Sequence, residues 1–248
     1  GYDDRDRLET ETLAPNPATS YTWDANGNLT TKDGEATYTW DVNDRLIKVE
    51  KTDGTVVEHV YDADGNRVRT TTTKPGQAAE AVDFLVDTSG GLSHVVAEID
   101  ATGITDRLKT LYVRNGDELL ALMRPDAAEP DGWQSRFYHA DYIGSVRRLT
   151  NEAGSISDGY TYSAFGELLG HTGSDPQPYA FTGEPLDPNS GWQYHRARWM
   201  DPRTGRFAGM DPFAGLSSDP QSLHRYATLI CARQGCWIRA ANSRAPLS

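Results

Sequence analysis

Two aspartates toward the C-terminal end offer the most direct chemistry in this sequence. They are Asp201, before Pro202, and Asp211, before Pro212, and Gly205-Arg206-Phe207 lies between them. Two carboxyls that share one proton split into an acid and a base, as in aspartic proteases. Aspartates before proline also serve as turn formers whose oxygens accept backbone N–H groups. Arg196, Arg198 and Arg206 lie nearby and suit bidentate pairing with Glu184, Asp187, Asp201 and Asp211. His139 and Asp141 make an H-x-D pair. The six histidines are scattered without paired metal-ligand spacing, so a structural hydrogen bond is expected there. Cys231 and Cys236 lack the second ligand pair of a zinc site. Gly90-Gly91 has no phosphate-loop pattern, and Ser145 and Ser163 lack a nucleophile-elbow context. No metal and no cofactor is implied.

The elements that must position these residues follow from composition. The chain has 248 residues, of which 37% are hydrophobic with glycine left out of the count. Gly 23 and Pro 13 signal many turns, and Tyr 12 and Trp 6 exclude simple disorder. This is the composition of an all-β chain of short strands. A net charge of −12 makes the chain a poor nucleic-acid binder. No apolar run approaches the ~18 residues of a membrane span.

An internal repeat supplies the strands. Tyr21-Thr-Trp-Asp24-Ala-Asn-Gly27-Asn28-Leu29 is followed by Tyr38-Thr-Trp-Asp41-Val-Asn-Asp44-Arg45-Leu46, then by His59-Val-Tyr61-Asp62-Ala-Asp-Gly65-Asn66-Arg67-Val68. Aromatic residues two apart share one face of a strand. The aspartate accepts backbone N–H bonds in an Asx-turn. Gly27 and Gly65 supply the positive φ of a tight hairpin, which Asp44 tolerates in the second copy. Each repeat reads as a β-hairpin whose aromatic face is buried against its neighbours.

Further along, Thr70–Gln77 reads as a connector. Val82–Val86, His94–Ile99 and Lys109–Val113 read as strands, with turns at Gly90-Gly91, Thr102-Gly103 and Asn115-Gly116. Leu119–Met123 fits strand or helix. Asp126–Gly132 reads as a loop. The later motifs are Tyr138-His-Ala-Asp141-Tyr-Ile-Gly144-Ser145 and Tyr160-Thr-Tyr162-Ser-Ala-Phe165-Gly166-Glu167. They continue with Phe181-Thr-Gly183, Arg196-Ala-Arg198-Trp-Met-Asp201-Pro202, Gly205-Arg206-Phe207 and Asp211-Pro212.

The repeats resemble the YD repeats of Rhs proteins, of the C component of Tc insecticidal toxins and of teneurins. The later block is similar to the Rhs-associated core, with its HxDxxGS, YxYxxFGE, FTGxxxD, DPxxGRF and DP forms. The resemblance implies part of a spiral β-shell, divided as an incomplete N-terminal stretch (1–19), YD repeats (20–73), shell strands and connectors (74–135), the Rhs-associated core (136–226) and a divergent tail (227–248). It implies a structural role in a polymorphic toxin: encapsulating and presenting a C-terminal effector in a parent protein that is secreted or delivered at the cell surface. The partners are that effector and the remaining shell. This piece has too few hairpins to close a shell, so open strand edges and a truncated remnant are expected.

Many family cores cleave themselves with two aspartates. The first maps to Asp211, which makes Asp201 structural. The second belongs in an Asp-Pro-x-Gly after Leu223–Tyr226, and here it is missing. No acidic residue follows Asp219, and the tail carries Arg233, Arg239 and Arg244. The Trp237-Ile238 codons force an Asp in another frame, where Asp-Pro-Ser-Gly-Gln is an allowed reading. A frameshift of residues 227–248 and loss of self-cleavage are therefore expected. Two rivals remain: a still active aspartic autoprotease acting in cis, and a teneurin-like surface module whose exposed aromatic residues bind carbohydrate or protein.

Overall fold

The computed structural model describes residues 1–227 except 14, 16, 104–106, 130, 217 and 219–222. The sequence expectations for the tail, including Cys231, Cys236 and the reading-frame change, lie outside the described residues.

Fifteen strands form one antiparallel sheet in which order along the chain equals order in the sheet. They are β1 (Thr10–Glu11), β2 (Thr19–Trp23), β3 (Leu29–Lys32), β4 (Ala36–Trp40), β5 (Leu46–Lys51), β6 (Val56–Tyr61), β7 (Arg67–Thr73), β8 (Glu80–Asp87), β9 (His94–Asp100), β10 (Arg107–Asn115), β11 (Glu118–Pro125), β12 (Trp133–Ala140), β13 (Val146–Thr150), β14 (Ile156–Tyr162) and β15 (Leu168–Thr172). A second sheet follows, of β16 (Gln193–His195), β17 (Arg198–Asp201) and β18 (Arg206–Phe207). The all-β expectation holds, and the large sheet stays open, with β1 and β15 at its edges. Leu119–Met123 falls within strand β11. The threonines at 70–73 belong to β7, so the connector begins only at Lys74. Four β-branched side chains favour the pleated surface over a loop.

The repeat hairpins show why order in the chain becomes order in space. Tyr38 is buried on β4 while its neighbours Thr37 and Thr39 are exposed, the period of a half-buried strand. At each turn the aspartate N–H donates four residues ahead, Asp24 to Asn28 O, Asp41 to Arg45 O and Asp62 to Asn66 O, all at 2.9 Å. The aspartate Oδ1 accepts the N–H of that same residue, at 2.8, 3.0 and 2.8 Å. The residue three beyond the aspartate is left-handed: Gly27 at φ +87°, Asp44 at +59° and Gly65 at +88°. Burial works against the Asp41 charge, but hydrogen bonds from Arg45 and Asn43 outweigh it and hold the carboxyl below its usual range.

Adjacent repeats are stapled through their second aromatic residue. Trp23 Nε1 donates to Leu8 O at 2.9 Å, Trp40 Nε1 to Leu29 O at 2.7 Å, and the Tyr61 hydroxyl to Leu46 O at 2.8 Å. Each acceptor is the first apolar residue after the preceding turn. Tyr162 repeats the contact onto Val146 O at 2.9 Å.

The chain beyond β15 returns along one face of the sheet and divides the core in two. Trp192, Tyr194, Trp199 and Ala208 pack with Tyr21, Tyr38, Leu46 and Val57 on the repeat strands. Tyr179, Ala180 and Phe181 pack with Tyr112, Leu122, Tyr138 and Leu149 on the later strands. Trp192 stacks on Tyr38 with ring centroids 4.3 Å apart.

Candidate functional site

The β16–β17 hairpin positions Arg198 directly opposite His195, with a tight turn between them in which Arg196 is left-handed at φ +59°. Arg198 is buried, lies over the Phe207 ring at 3.8 Å and donates to Asp211 Oδ2 at 2.9 Å. Burial pulls the Arg198 guanidinium down, and Asp211 opposes that shift. A guanidinium stays charged through such changes. The other Asp211 oxygen accepts the Phe213 N–H at 2.9 Å, closing an Asx-turn before Pro212. The Asp211 backbone is clamped by Arg225: its N–H donates to Arg225 O at 2.9 Å and its carbonyl accepts Arg225 Nε at 2.8 Å.

Asp201 stands in a separate ion cluster. Its Oδ2 meets Lys32 Nζ at 3.0 Å, its Oδ1 accepts the Arg203 N–H at 2.9 Å, and its carbonyl accepts the N–H groups of Thr204 and Gly205. Pro202 sits buried in that turn. Burial pushes the Asp201 carboxyl up, to about 6. The Lys32 ammonium favours the charged form, so we take Asp201 as ionised at neutral pH. Asp201 and Asp211 are therefore held by different cations rather than by one shared proton. Two carboxyls engaged this way do not divide acid and base roles between them.

Below Asp211 lies a cavity of about 240 Å³ between the repeat turns and the β16–β17 hairpin. Trp40, Tyr61, Asp64, Asn66, Arg198 and Met210 are among its lining residues. Trp40 and Tyr61 spend their N–H and O–H on the carbonyl staples, and Trp199, also in the lining, gives its N–H to the Tyr61 hydroxyl.

The expected arginine partners divide. Arg196 pairs with Glu184 at 2.7 Å and Arg198 with Asp211, as the sequence suggests. Arg206 instead reaches the Asp6 carbonyl and lies over the Tyr2 ring. Among the described residues no arginine pairs with Asp187; its Oδ1 accepts the N–H groups of Asn189 and Ser190. Sequence spacing cannot show that the N-terminal turn comes back to cover Arg206. His139 bonds the Thr150 hydroxyl at 3.0 Å, while Asp141 caps its own turn and pairs with Arg147 at 2.8 Å. Among the described residues no group of three or more His, Cys, Asp or Glu could hold a metal ion.

The motif glycines make room for the motif aromatics. A Cβ on Gly166 would stand 2.6 Å from the Phe181 ring, and one on Gly205 would stand 2.5 Å from the Phe165 ring. Gly144 faces Thr182 O, where a Cβ would sit at 3.4 Å. Tyr160 and Tyr162 place their rings in the core cluster that also contains Phe181. The spaced motifs thus form one interlocked packing unit.

Two features went unread in the sequence. Residues 2–8 form another turn of the repeat kind: Asp3 N–H donates to Arg7 O at 3.0 Å, and Asp6 is left-handed at φ +59°. Arg7 also donates to Asp24 O at 3.2 Å, as Arg45 does to Asp62 O at 3.1 Å. The signal was present, since Tyr2-Asp3, Asp6, Arg7 and Leu8 match Trp40-Asp41, Asp44, Arg45 and Leu46 in type and spacing. The second is the anchor of the returning chain. Tyr226 is 1% exposed, meets Trp23 edge-on at 5.2 Å and donates to Gly27 O at 3.0 Å. No local spacing announces that contact.

Comparison with known proteins agrees with this architecture. The sequence model of a family described as RHS Repeat matches residues 23–56 and 40–79. The tRNA3(Ser)-specific nuclease WapA of Bacillus spizizenii is 30% identical over 213 residues, covering 84% of this chain and 8% of that protein. The double-stranded DNA deaminase toxin A of Burkholderia cenocepacia is 30% identical over 235 residues, covering 82% of this chain and 16% of that protein. The chain thus spans a small part of the relatives' length. The crystal structure of TcdB2-TccC3 superposes with a TM-score of 0.67 at 18% identity, covering 86% of this chain and 12% of that one. At that identity the likeness shows the fold alone. With repeat, interlocked motifs and fold together, the chain belongs to the Rhs/YD-repeat family.

Proposed function

We propose that this chain is a structural shell segment that encloses and presents a C-terminal effector in its parent protein, and that its own self-cleavage is lost. One observation carries the structural reading. The chain after β15 lies along one face of the sheet and is pinned to the first Tyr-x-Trp repeat by the Tyr226 hydroxyl on Gly27 O. Such a return stiffens one end of the shell and leaves the strand edges to continue into further windings. The loss of cleavage is supported by Asp211 being paired with Arg198, with Asp201 held apart by Lys32. The surface-binding alternative loses support, because the repeat aromatics face the core and spend their donors on carbonyls. The role divisions at 1–19, 20–73, 74–135, 136–226 and 227–248 are part of the same proposal, with the 2–8 turn added to the first.

Intact mass of the purified 248-residue chain followed over days tests the cleavage half. The expected result is an uncut chain, and Asp211-dependent cutting in a version whose Asp-Pro-Ser-Gly frame is restored. A chain that cuts itself, and stops when Asp211→Asn is introduced, establishes the autoprotease instead. Protease protection of a domain attached after the core in the longer parent tests the encapsulation half, and a domain digested as fast as the free one refutes it.

A further inference from the structure

The seam between the Asp62 repeat and the C-terminal sheet contains a titratable group with no role in the turns, the staples or the Asp211 site. His59 on β6 is 4% exposed and stacks on Trp199 of β17, with centroids 4.7 Å apart and planes at 24°. Its Nδ1 meets the Thr70 hydroxyl at 2.9 Å, and its Nε2 is buried without a partner. From β7, Arg67 lies over Tyr194 at 4.5 Å, Phe84 at 4.6 Å and Trp199 at 5.2 Å, and it is buried too. Among the described residues no carboxylate lies within ion-pair distance of Arg67. Asp64, the acid nearest in sequence, is exposed on the turn, and Asp62 is occupied by Asn66 in its own turn.

From β16 and β17 the groups facing this pair are Tyr194 and Trp199, and neither is an anion. Tyr61 beside them gives its hydroxyl proton to Leu46 O and accepts the Trp199 N–H at 3.2 Å. A proton added at His59 Nε2 would find no acceptor and would place a second cation beside Arg67. Such a charge is costly in a dry interface and is relieved when the two surfaces separate. Burial, with Arg67 adding to it, already holds the His59 ring well below the usual histidine range. His195 on the far sheet resembles it. Both of its ring nitrogens are buried without partners, Phe207 packs edge-on at 5.4 Å, and Glu184, Arg196 and Arg198 are the charges around it.

We infer that the seam between β6–β7 and the three-stranded C-terminal sheet is an acid-opened latch, and that His59 is the group whose protonation releases it. The folded repeats remain while the C-terminal sheet lifts away, so mild acid loosens the end of the shell without unfolding its wall. The latch is independent of whether the chain encloses an effector.

Hydrogen exchange of the full chain, corrected for intrinsic rates, tests this between pH 7.5 and pH 5. The opening constant of residues 192–207 is expected to rise toward tenfold per pH unit for each histidine involved below pH ~6.5. Residues 133–150 on β12 and β13 should hold their protection. His59→Phe keeps the stacked ring and removes the proton site, so it should take away one tenfold step per pH unit and leave only what His195 contributes. The same slope in His59→Phe and wild type overturns the inference, as does loss of protection at 133–150 in the same step. If His59→Phe does not fold, ring titration of wild-type His59 decides: proton uptake coincident with opening supports the latch, and uptake near pH ~6.5 with 192–207 still protected refutes it.

Discussion

The carboxylates of Asp24, Asp41 and Asp62 make their bonds within four residues of themselves. Asp201 and Asp211 use the same side chain on other elements, Asp201 on Lys32 of β3 and Asp211 on Arg198 of β17. The repeat aspartates bend the chain wherever their pattern occurs, and each hairpin carries its own instructions. The later aspartates have meaning only after the returning segment has landed on the sheet. Local turns make the wall, and long-range contacts fix its end. Ordering the returning segment costs ~1–2 kcal/mol of backbone entropy per residue, so its buried aromatics must supply the compensation.

The largest expected effect lies on the long-range side. Trp199 is 1% exposed, and Trp199→Ala should lower stability in urea by about 4 kcal/mol, the usual range for a buried aromatic. Val42→Ala at a turn tip, 95% exposed, should leave it unchanged. A Trp199→Ala loss below about 1 kcal/mol would show that the sheet stands without its returning segment.

Next comes the buried ion pair. Asp201→Ala leaves Lys32 buried beside Glu35 alone and should cost about 3 kcal/mol. Adding Lys32→Met should recover most of it. Asp41→Ala, which removes only a local cap, should cost about 1 kcal/mol. Equal costs for the two aspartates in thermal melts would erase the distinction drawn between them.

A smaller effect separates two glycines in similar turns. Gly65 has a positive φ and open space around its Cβ position, so Gly65→Ala should cost about 1 kcal/mol. Gly166 has φ +95° and the Phe181 ring against it. Gly166→Ala should therefore cost at least about 2 kcal/mol, the excess measuring the interlock. The smallest effect is at Arg69, whose ion pair with Asp83 is partly in solvent. Arg69→Ala should change stability by less than about 1 kcal/mol, and 1 M salt should remove the difference.

These contrasts also explain what could be read in advance. The hairpins at Asp24, Asp41 and Asp62 were legible because turn chemistry and aromatic alternation act over a few residues. The turn at residues 2–8 obeys the same code and was missed because Tyr2 alone stands there for the aromatic-x-aromatic pair that marks the other copies. Arg198 with Asp211 could be anticipated because both lie in one motif block. Arg206 could not, since Tyr2 and Asp6 come to it from the other end of the chain.

By itself the sequence determined the all-β class and the repeat turns, because both depend on short-range periodicity and backbone preference, and its spaced motifs carried the resemblance to the family. Only the tertiary structure decided that Asp201 and Asp211 answer to different cations, that His59 lies sealed under Trp199, and that Tyr226 closes onto Gly27. Apart from Arg198 with Asp211, those contacts join residues far apart in the chain. Their energies come from burial and charge pairing, which exist only once the surfaces have met.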